Sequence, residues 1–279
     1  MSHDLVSTDW LAMRMNSPDI VIIDASWHLP QAKRDAKAEF EKEHIPRARF
    51  YDLDAGSDPD STLPHMFPTA EKFARDMISV GLGAGKTVVV YDSVGLFSAP
   101  RLWWMLKTFG HQDVNVLDGG LSKWRREGHP TEEGKAAPVR DWHVKLKFDP
   151  SRIKSVQDVS AALASGSAQV ADARSRARFR GEEPEPRPGV KPGHMPGAIN
   201  VHYASLLNPD GTLKKKRRLQ QAFKETDLDL KRPIIASCGS GVTAAIVLLA
   251  LTELDVKDAA LYDGSWAEWG ASGQPIVTD

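Results

Sequence analysis

The chain contains a single cysteine, Cys238, among its 279 residues. One cysteine cannot form a disulfide within the chain, so we expect a reducing, cytoplasmic setting. No run of about 18 apolar residues is present, which argues against a transmembrane helix. The start of the chain lacks a basic segment followed by an apolar one, so we do not expect a signal peptide. The 36 basic and 37 acidic side chains nearly cancel, so neither nucleic acid nor a membrane is indicated as a partner. The nine histidines show no metal-ligand spacing, and neither a metal nor a cofactor is predicted.

The sequence does contain an internal repeat. The segment "LDGGLSKWRREGHP" from Leu117 recurs 145 positions later as "YDGSWAEWGASGQP". Two further pairs of segments precede this one in the same order in both halves. They are "VIIDAS" with "QVADAR" and "HIPRARFYDL" with "HMPGAINVHY". We therefore predict a duplicated domain, with residues 1–132 and 152–279 as the two copies and 133–151 as the linker. Residues present in both copies, such as Asp118 and Asp263, are expected to be structural.

Each half alternates short apolar runs with helical segments. The runs "KTVVVYD" and "RPIIASC" are rich in β-branched residues, which favours buried parallel strands. Strand and helix alternate along both halves, which predicts an α/β fold in which helices flank a mainly parallel sheet.

Cys238 lies where a predicted strand ends and an apolar helix, "AAIVLLALTEL", begins. Ligands of open α/β sheets bind at that edge. The intervening loop contains Gly239 and Gly241, which permit positive φ angles, so its amide groups can turn toward the sulfur and favour an anionic form. Thr243 closes the loop and is expected to cap the helix. A lone cysteine is most often a small buried apolar residue, but this position and the glycine pair favour a functional role.

The first copy serves as an internal comparison. At the same offset of 145, Cys238 corresponds to Ser93, and the two loop glycines correspond to Val94 and Leu96. The first copy is therefore expected to lack both the thiol and the cradle.

Other cysteine chemistries fit less well. A phosphatase loop of the form Cys-x5-Arg needs an arginine where this chain has Ala244. A cysteine protease needs a histidine base and an oxyanion hole, and a duplicated parallel-sheet domain is an unusual host for it. A short cradle made of amides suits a smaller anion, namely a sulfur bonded to another sulfur.

The loop "CGSGVTA" and five further segments together resemble the tandem-domain rhodanese superfamily over almost the whole chain. The five segments are "HIPRARFYDLD", "SAPRLWWMLKTFGH", "LDGGLSKW", "EPRPGVKPGHMPGAINV" and "YDGSWAEWG". Within that superfamily the loop is similar to the active loop of 3-mercaptopyruvate sulfurtransferases, whereas thiosulfate-preferring rhodaneses typically carry basic residues there. The resemblance implies two tandem rhodanese-like domains, of which the first is non-catalytic.

The resemblance also implies a reaction. Cys238 would take sulfur from 3-mercaptopyruvate as a persulfide, releasing pyruvate, and pass it to a thiol acceptor, such as thioredoxin or a low-molecular-weight thiol, or to cyanide. Two alternatives remain open at this point. One is a rhodanese that uses thiosulfate, and the other is a slow persulfide-binding or interaction module.

Site residues are implied in the same way. Arg178 and Arg187 match the family's donor-binding arginines, and the alternative is that they pair with Glu182, Glu183 or Glu185 on a solvated loop. Gly239, Gly241, Val242 and Thr243 would hold the sulfur. Ser240 would form a proton relay with His65 and Asp54, both contributed by the first domain. For the last two residues the alternative is an ordinary loop histidine and a turn residue.

Overall fold

The computed structural model describes residues 4–136 and 143–279, so residues 137–142 of the predicted linker lie outside the described part. The chain forms two compact units that are not contiguous halves of the sequence. One unit comprises Met1–Pro59, Pro68–Phe148 and Asn208–Leu213, and the other comprises Asp60–Phe67, Asp149–Leu207 and Lys214–Asp279. Each unit thus includes a short segment from the other half of the chain.

The first unit contains five strands and five α-helices among its described residues. Its strands are β1 Leu5–Val6, β2 Ile20–Asp24, β3 Arg49–Phe50, β4 Thr87–Tyr91 and β5 Val114–Leu117, and its helices are α1 Thr8–Ala12, α2 Ala36–Lys42, α3 Ala70–Ser79, α4 Ala99–Thr108 and α5 Gly120–Arg126. A short 3-10 turn spans Pro30–Ala32.

The second unit repeats this sequence of elements. Its strands are β6 Ile153–Lys154, β7 Gln169–Asp172, β8 Ile199–Asn200, β9 Ile234–Ser237 and β10 Ala259–Tyr262, and its helices are α6 Val156–Ser165, α7 Arg176–Arg180, α8 Lys216–Lys224, α9 Ala244–Glu253 and α10 Ser265–Trp269. The 3-10 turns are Pro150–Arg152 and Tyr203–Leu206.

Both sheets have the same topology. The strand orders are β1-β5-β4-β2-β3 and β6-β10-β9-β7-β8, and every pairing within them is parallel. The prediction of mainly parallel sheets flanked by helices is therefore confirmed. No helix among the described residues has the length and apolar character needed to cross a membrane.

The strands are buried because helices cover the sheets. In the first unit Ile22 and Val89 pack with Phe40 and Trp124 from α2 and α5, and in the second Val170 and Ile235 pack with residues of α6 and α10. Helix α9 is buried from Ala244 through Leu251, as its nearly uniform apolar sequence predicts. This rigid helix and strand β9 hold the cysteine loop between them.

Candidate active site

The cysteine loop occupies the predicted place in the second unit. Strand β9 ends at Ser237, helix α9 begins at Ala244, and the six residues between them include Cys238. The cysteine is a free thiol, and the residue is only 2% exposed. It lies at the carboxyl end of a central parallel strand, where ligands of this class of fold bind.

The start of the loop is fixed by helix α10. The amide of Cys238 donates to Ser265 Oγ at 3.2 Å, and the carbonyl of Cys238 accepts from the amide of Trp266 at 2.9 Å. The carbonyl of Gly239 accepts from Ala267 at the same distance. Both carbonyls therefore point toward α10, so they are not directed at the sulfur.

The rest of the loop presents amide groups. Gly241 has φ of +75°, the left-handed conformation that the glycine pair predicts, while Gly239 does not adopt it. The amides of Gly239, Ser240, Val242 and Thr243 donate to no acceptor among the described residues. Thr243 stands at the N-cap position of α9, as expected, but its side chain makes no capping hydrogen bond. The loop thus retains four donors for an anion, consistent with a nest.

Ser240 brings two predicted site residues together. Its Oγ lies 2.9 Å from His65 Nδ1 and accepts from Arg187 Nη2 at 3.4 Å. Ser240 and His65 are each 4% exposed. With the Arg187 N–H on one lone pair, the Ser240 hydroxyl can donate its proton to an unprotonated Nδ1.

Arg178 borders the loop at Gly239. Its guanidinium donates to Glu185 from Nη2 at 2.5 Å and from Nε at 3.2 Å. A Cβ atom at position 239 would lie only 3.1 Å from Arg178 Nη2. A side chain at position 239 would therefore require the Arg178 guanidinium to shift by a few tenths of an ångström.

Arg174 and Glu185 hold this arrangement. Arg174 is fully buried and pairs with Asp172 at 2.7 Å and with Glu185 at 2.9 Å. Burial lowers the pKa of Arg174 and the two carboxylates raise it, and the carboxylates prevail. The alternative that Arg178 pairs with a loop glutamate is correct for Glu185, but the Glu185 side chain is 3% exposed rather than solvated. Glu185 thus bridges Arg174 and Arg178.

Asp54 lies in the first unit. Both of its carboxylate oxygens accept from Trp27 Nε1 at 3.1 Å. No pattern in the sequence indicates Trp27 as the partner of Asp54. The place of Asp54 in a relay stays a prediction.

Comparison with known proteins identifies the family. The model of the rhodanese-like domain matches residues 7–127 and again 155–272. The chain belongs to the rhodanese family. It is 47% identical to the 3-mercaptopyruvate sulfurtransferase of Escherichia coli strain K12, covering 95% of this chain and 94% of that protein. It is 43% identical to the human protein of the same name, covering 97% and 93%. The crystal structure of Tum1 from Saccharomyces cerevisiae is similar with a TM-score of 0.91 and 36% identity, covering 100% and 99% of the two chains.

The first rhodanese domain has its own version of the cysteine loop. Asp24 pairs with Tyr91 in one sheet, and Asp172 pairs with Ser237 in the other. The carbonyl of Asp92 accepts from Leu121 in the first unit, as that of Cys238 accepts from Trp266 in the second. Asp92, and not Ser93, therefore stands at the position of the cysteine.

The prediction that the first rhodanese domain lacks a cradle is also wrong. Asp92 Oδ1 accepts from the amides of Val94 and Gly95 at 3.1 and 2.9 Å. Its Oδ2 accepts from those of Phe97, Ser98 and Ala99 at 2.9, 3.0 and 2.9 Å. The loop after β4 is an anion cradle that its own carboxylate fills.

Proposed function

We propose that this enzyme is a sulfurtransferase that takes sulfur from 3-mercaptopyruvate onto Cys238 as a persulfide and releases pyruvate. The observation that carries the proposal is the pair of loops. Five amides enclose the Asp92 carboxylate in one, and four amides around Cys238 are without a protein acceptor in the described part of the other. An anion attached to Cys238 would satisfy them.

In the first step the Cys238 thiolate attacks the sulfur of mercaptopyruvate. An S–S bond forms, the donor's C–S bond breaks, and its electron pair goes to carbon as the enolate of pyruvate. The proton that the donor sulfur carried must leave it and ultimately reach that carbon. The contact between Ser240 and His65 at 2.9 Å supports a role for this pair in carrying that proton.

The donor's carboxylate needs a cationic partner beside the loop. Arg187 reaches Ser240, and Arg178 lies against Gly239 with no described acceptor on its Nη1. Arginine receives a carboxylate through paired N–H groups. We assign the carboxylate to these two side chains, with Glu185 holding Arg178 in place.

In the second step an acceptor takes the outer sulfur and regenerates the thiolate. The acceptor is a thiol, such as thioredoxin or a low-molecular-weight thiol, and cyanide can replace it. A thiol acceptor requires a reducing compartment, and the lone cysteine fits the cytoplasm. Covalent transfer of this kind divides one sulfur exchange into two easier reactions.

The test compares sulfur donors at equal concentration with cyanide as acceptor. Mercaptopyruvate is expected to give thiocyanate faster than thiosulfate by about tenfold or more, and Cys238→Ala to give none. Intact mass after exposure to mercaptopyruvate should show one added sulfur on the wild-type chain only. Faster turnover with thiosulfate would make the protein a thiosulfate sulfurtransferase, and a stable persulfide with slow turnover of every donor would make it a persulfide-binding module.

A further inference from the structure

The segment that carries His65 is anchored at its end. We call Asp60–Phe67, which belongs to the second unit, the His65 strap. The amide of Phe67 donates to Asp263 Oδ2 at 2.7 Å. Asp263 follows strand β10 directly and is 3% exposed. A rigid strand end thus holds the strap two residues away from His65.

The strap needs such an anchor because its conformation is not the locally preferred one. His65 has φ of +61°, a left-handed conformation that is unfavourable for a residue with a Cβ atom. Strained residues persist only where surrounding contacts determine them. The contacts that serve here include the imidazole on Ser240 and the Phe67 amide on Asp263.

The first unit contains the same bond without a histidine strap. There the amide of Leu213 donates to Asp118 Oδ1 at 2.8 Å. Asp118 follows strand β5, as Asp263 follows β10, and Asn208–Leu213 belongs to the first unit. Both aspartates are therefore structural anchors of the same kind, but only Asp263 holds a segment that bears His65.

We propose that Asp263 is a positioning residue for sulfur transfer, because its carboxylate fixes the His65 strap and thereby holds His65 on Ser240. This inference rests on the proposed function. Asp263 is expected to act through the Phe67 amide. A displacement of about 1 Å in a group that transfers protons costs as much as about 10²-fold in rate, so loss of one hydrogen bond can have a large kinetic consequence.

The experiment measures pyruvate release from mercaptopyruvate in Asp263→Ala, Asp118→Ala, His65→Ala and the double variant Asp263→Ala/His65→Ala. Asp263→Ala should lower kcat about tenfold or more and leave KM nearly unchanged, because Arg187 remains. Asp118→Ala loses the matched bond and should keep the wild-type kcat. The double variant should be no slower than His65→Ala, because coupled residues are not additive. Asp263→Asn, which retains an acceptor oxygen, should restore most of the rate.

Other outcomes would overturn the proposal. These are equal rates in the two single aspartate variants, a double variant slowed by the full Asp263→Ala factor, or an Asn variant as slow as the Ala variant. If Asp263→Ala fails to fold, Asp263→Ser takes its place, since its shorter side chain cannot reach the Phe67 amide, and a wild-type rate would then contradict the anchor. Wild-type enzyme that releases no pyruvate would instead refute the proposed function. Wild-type rates in His65→Ala would refute the relay, and with it the role of Asp263, while leaving sulfur transfer at Cys238 in place.

Discussion

The loops that follow β4 and β9 share one backbone arrangement but differ in the group that their amides contact. In the first, five amides converge on the Asp92 carboxylate. In the second, Cys238 stands at the equivalent position, and four amides have no acceptor within the described residues. The first loop binds its own carboxylate, whereas the amides of the second can engage an anion attached to Cys238. We therefore assign the reaction to the second copy of the domain.

Covalent geometry indicates which anion fits. In aspartate the charged oxygens lie two bonds beyond Cβ, and in a cysteine persulfide the outer sulfur lies two bonds beyond Cβ as well. A thiolate sulfur lies only one bond away. If the second cradle has the depth of the first, it holds the outer sulfur better than the thiolate. The loop then stabilises the intermediate more than the resting enzyme, which is what favours sulfur uptake.

The largest expected effect comes from making the loops alike. Cys238→Asp should reduce sulfur transfer by at least about 10³-fold, because no nucleophile remains. Its thermal stability should exceed that of Cys238→Ala, because the new carboxylate can accept the loop amides. Thiocyanate formation and calorimetry measure the two effects. An Asp variant less stable than the Ala variant would mean that the second loop is not an anion cradle.

The reverse change removes the carboxylate from the first loop. Asp92→Ala leaves five N–H groups without their acceptor, three of them in buried hydrogen bonds, and we expect unfolding to become easier by about 3–5 kcal/mol. The rate per folded molecule should stay near that of the wild type, since this loop takes no part in the reaction. Urea unfolding measures the first effect and active-site titration the second. Asp9→Ala, at a side chain that is 82% exposed, is the control and should have little effect.

The two loops also separate the features that the sequence predicts from those that it does not. Periodic apolar runs and recurring motifs predict both sheets and the position of Cys238, because these depend on local patterns. The offset of 145 that relates Asp118 to Asp263 matches Ser93 to Cys238. The loop after β4 is one residue longer than the loop after β9, so the match slips by one. Only hydrogen-bond register shows where the extra residue lies.

Other features depend on contacts between residues that are distant in sequence. No residue pattern around His65 indicates that Asp60–Phe67 belongs to the second unit. Glu185 stands in an acidic, proline-rich run that reads as a solvated loop, yet it is buried between two arginines. Charge pairing of this kind is decided by tertiary packing, so the sequence offers candidates without ranking them.

The two loops also differ in the side chains around them. In the second loop Ser240 accepts from Arg187, to which we assign the carboxylate of the sulfur donor. The first loop has no thiol and therefore needs no donor-binding arginine. Arg187→Ala should raise KM for mercaptopyruvate about tenfold while Cys238 remains open to alkylation. Arg180→Ala is the control, because Arg180 pairs with the exposed Glu182. Steady-state kinetics decide the matter, and an unchanged KM would remove Arg187 from the carboxylate site.

The smallest effect concerns the strands beside the two loops. Strands β2 and β7 end at Asp24 and Asp172. Arg174 pairs with Asp172, whereas the uncharged Ser26, two positions after Asp24, offers that carboxyl its amide and its side chain. Burial raises the pKa of Asp24 to about 7, against opposing hydrogen bonds from Ser26. Folding therefore favours the protonated acid, and this contribution to stability is complete below about pH 4 and lost as pH rises through about 7.

Between about pH 6 and pH 8 the wild type should lose on the order of 1 kcal/mol of stability through Asp24. Asp24→Asn carries no titrating proton and should remove that part of the decline. Urea unfolding at the two pH values gives the measurement, with Asp19→Asn on the surface as the matched control. Equal slopes in Asp24→Asn and the wild type would show that Asp24 does not carry this pH dependence.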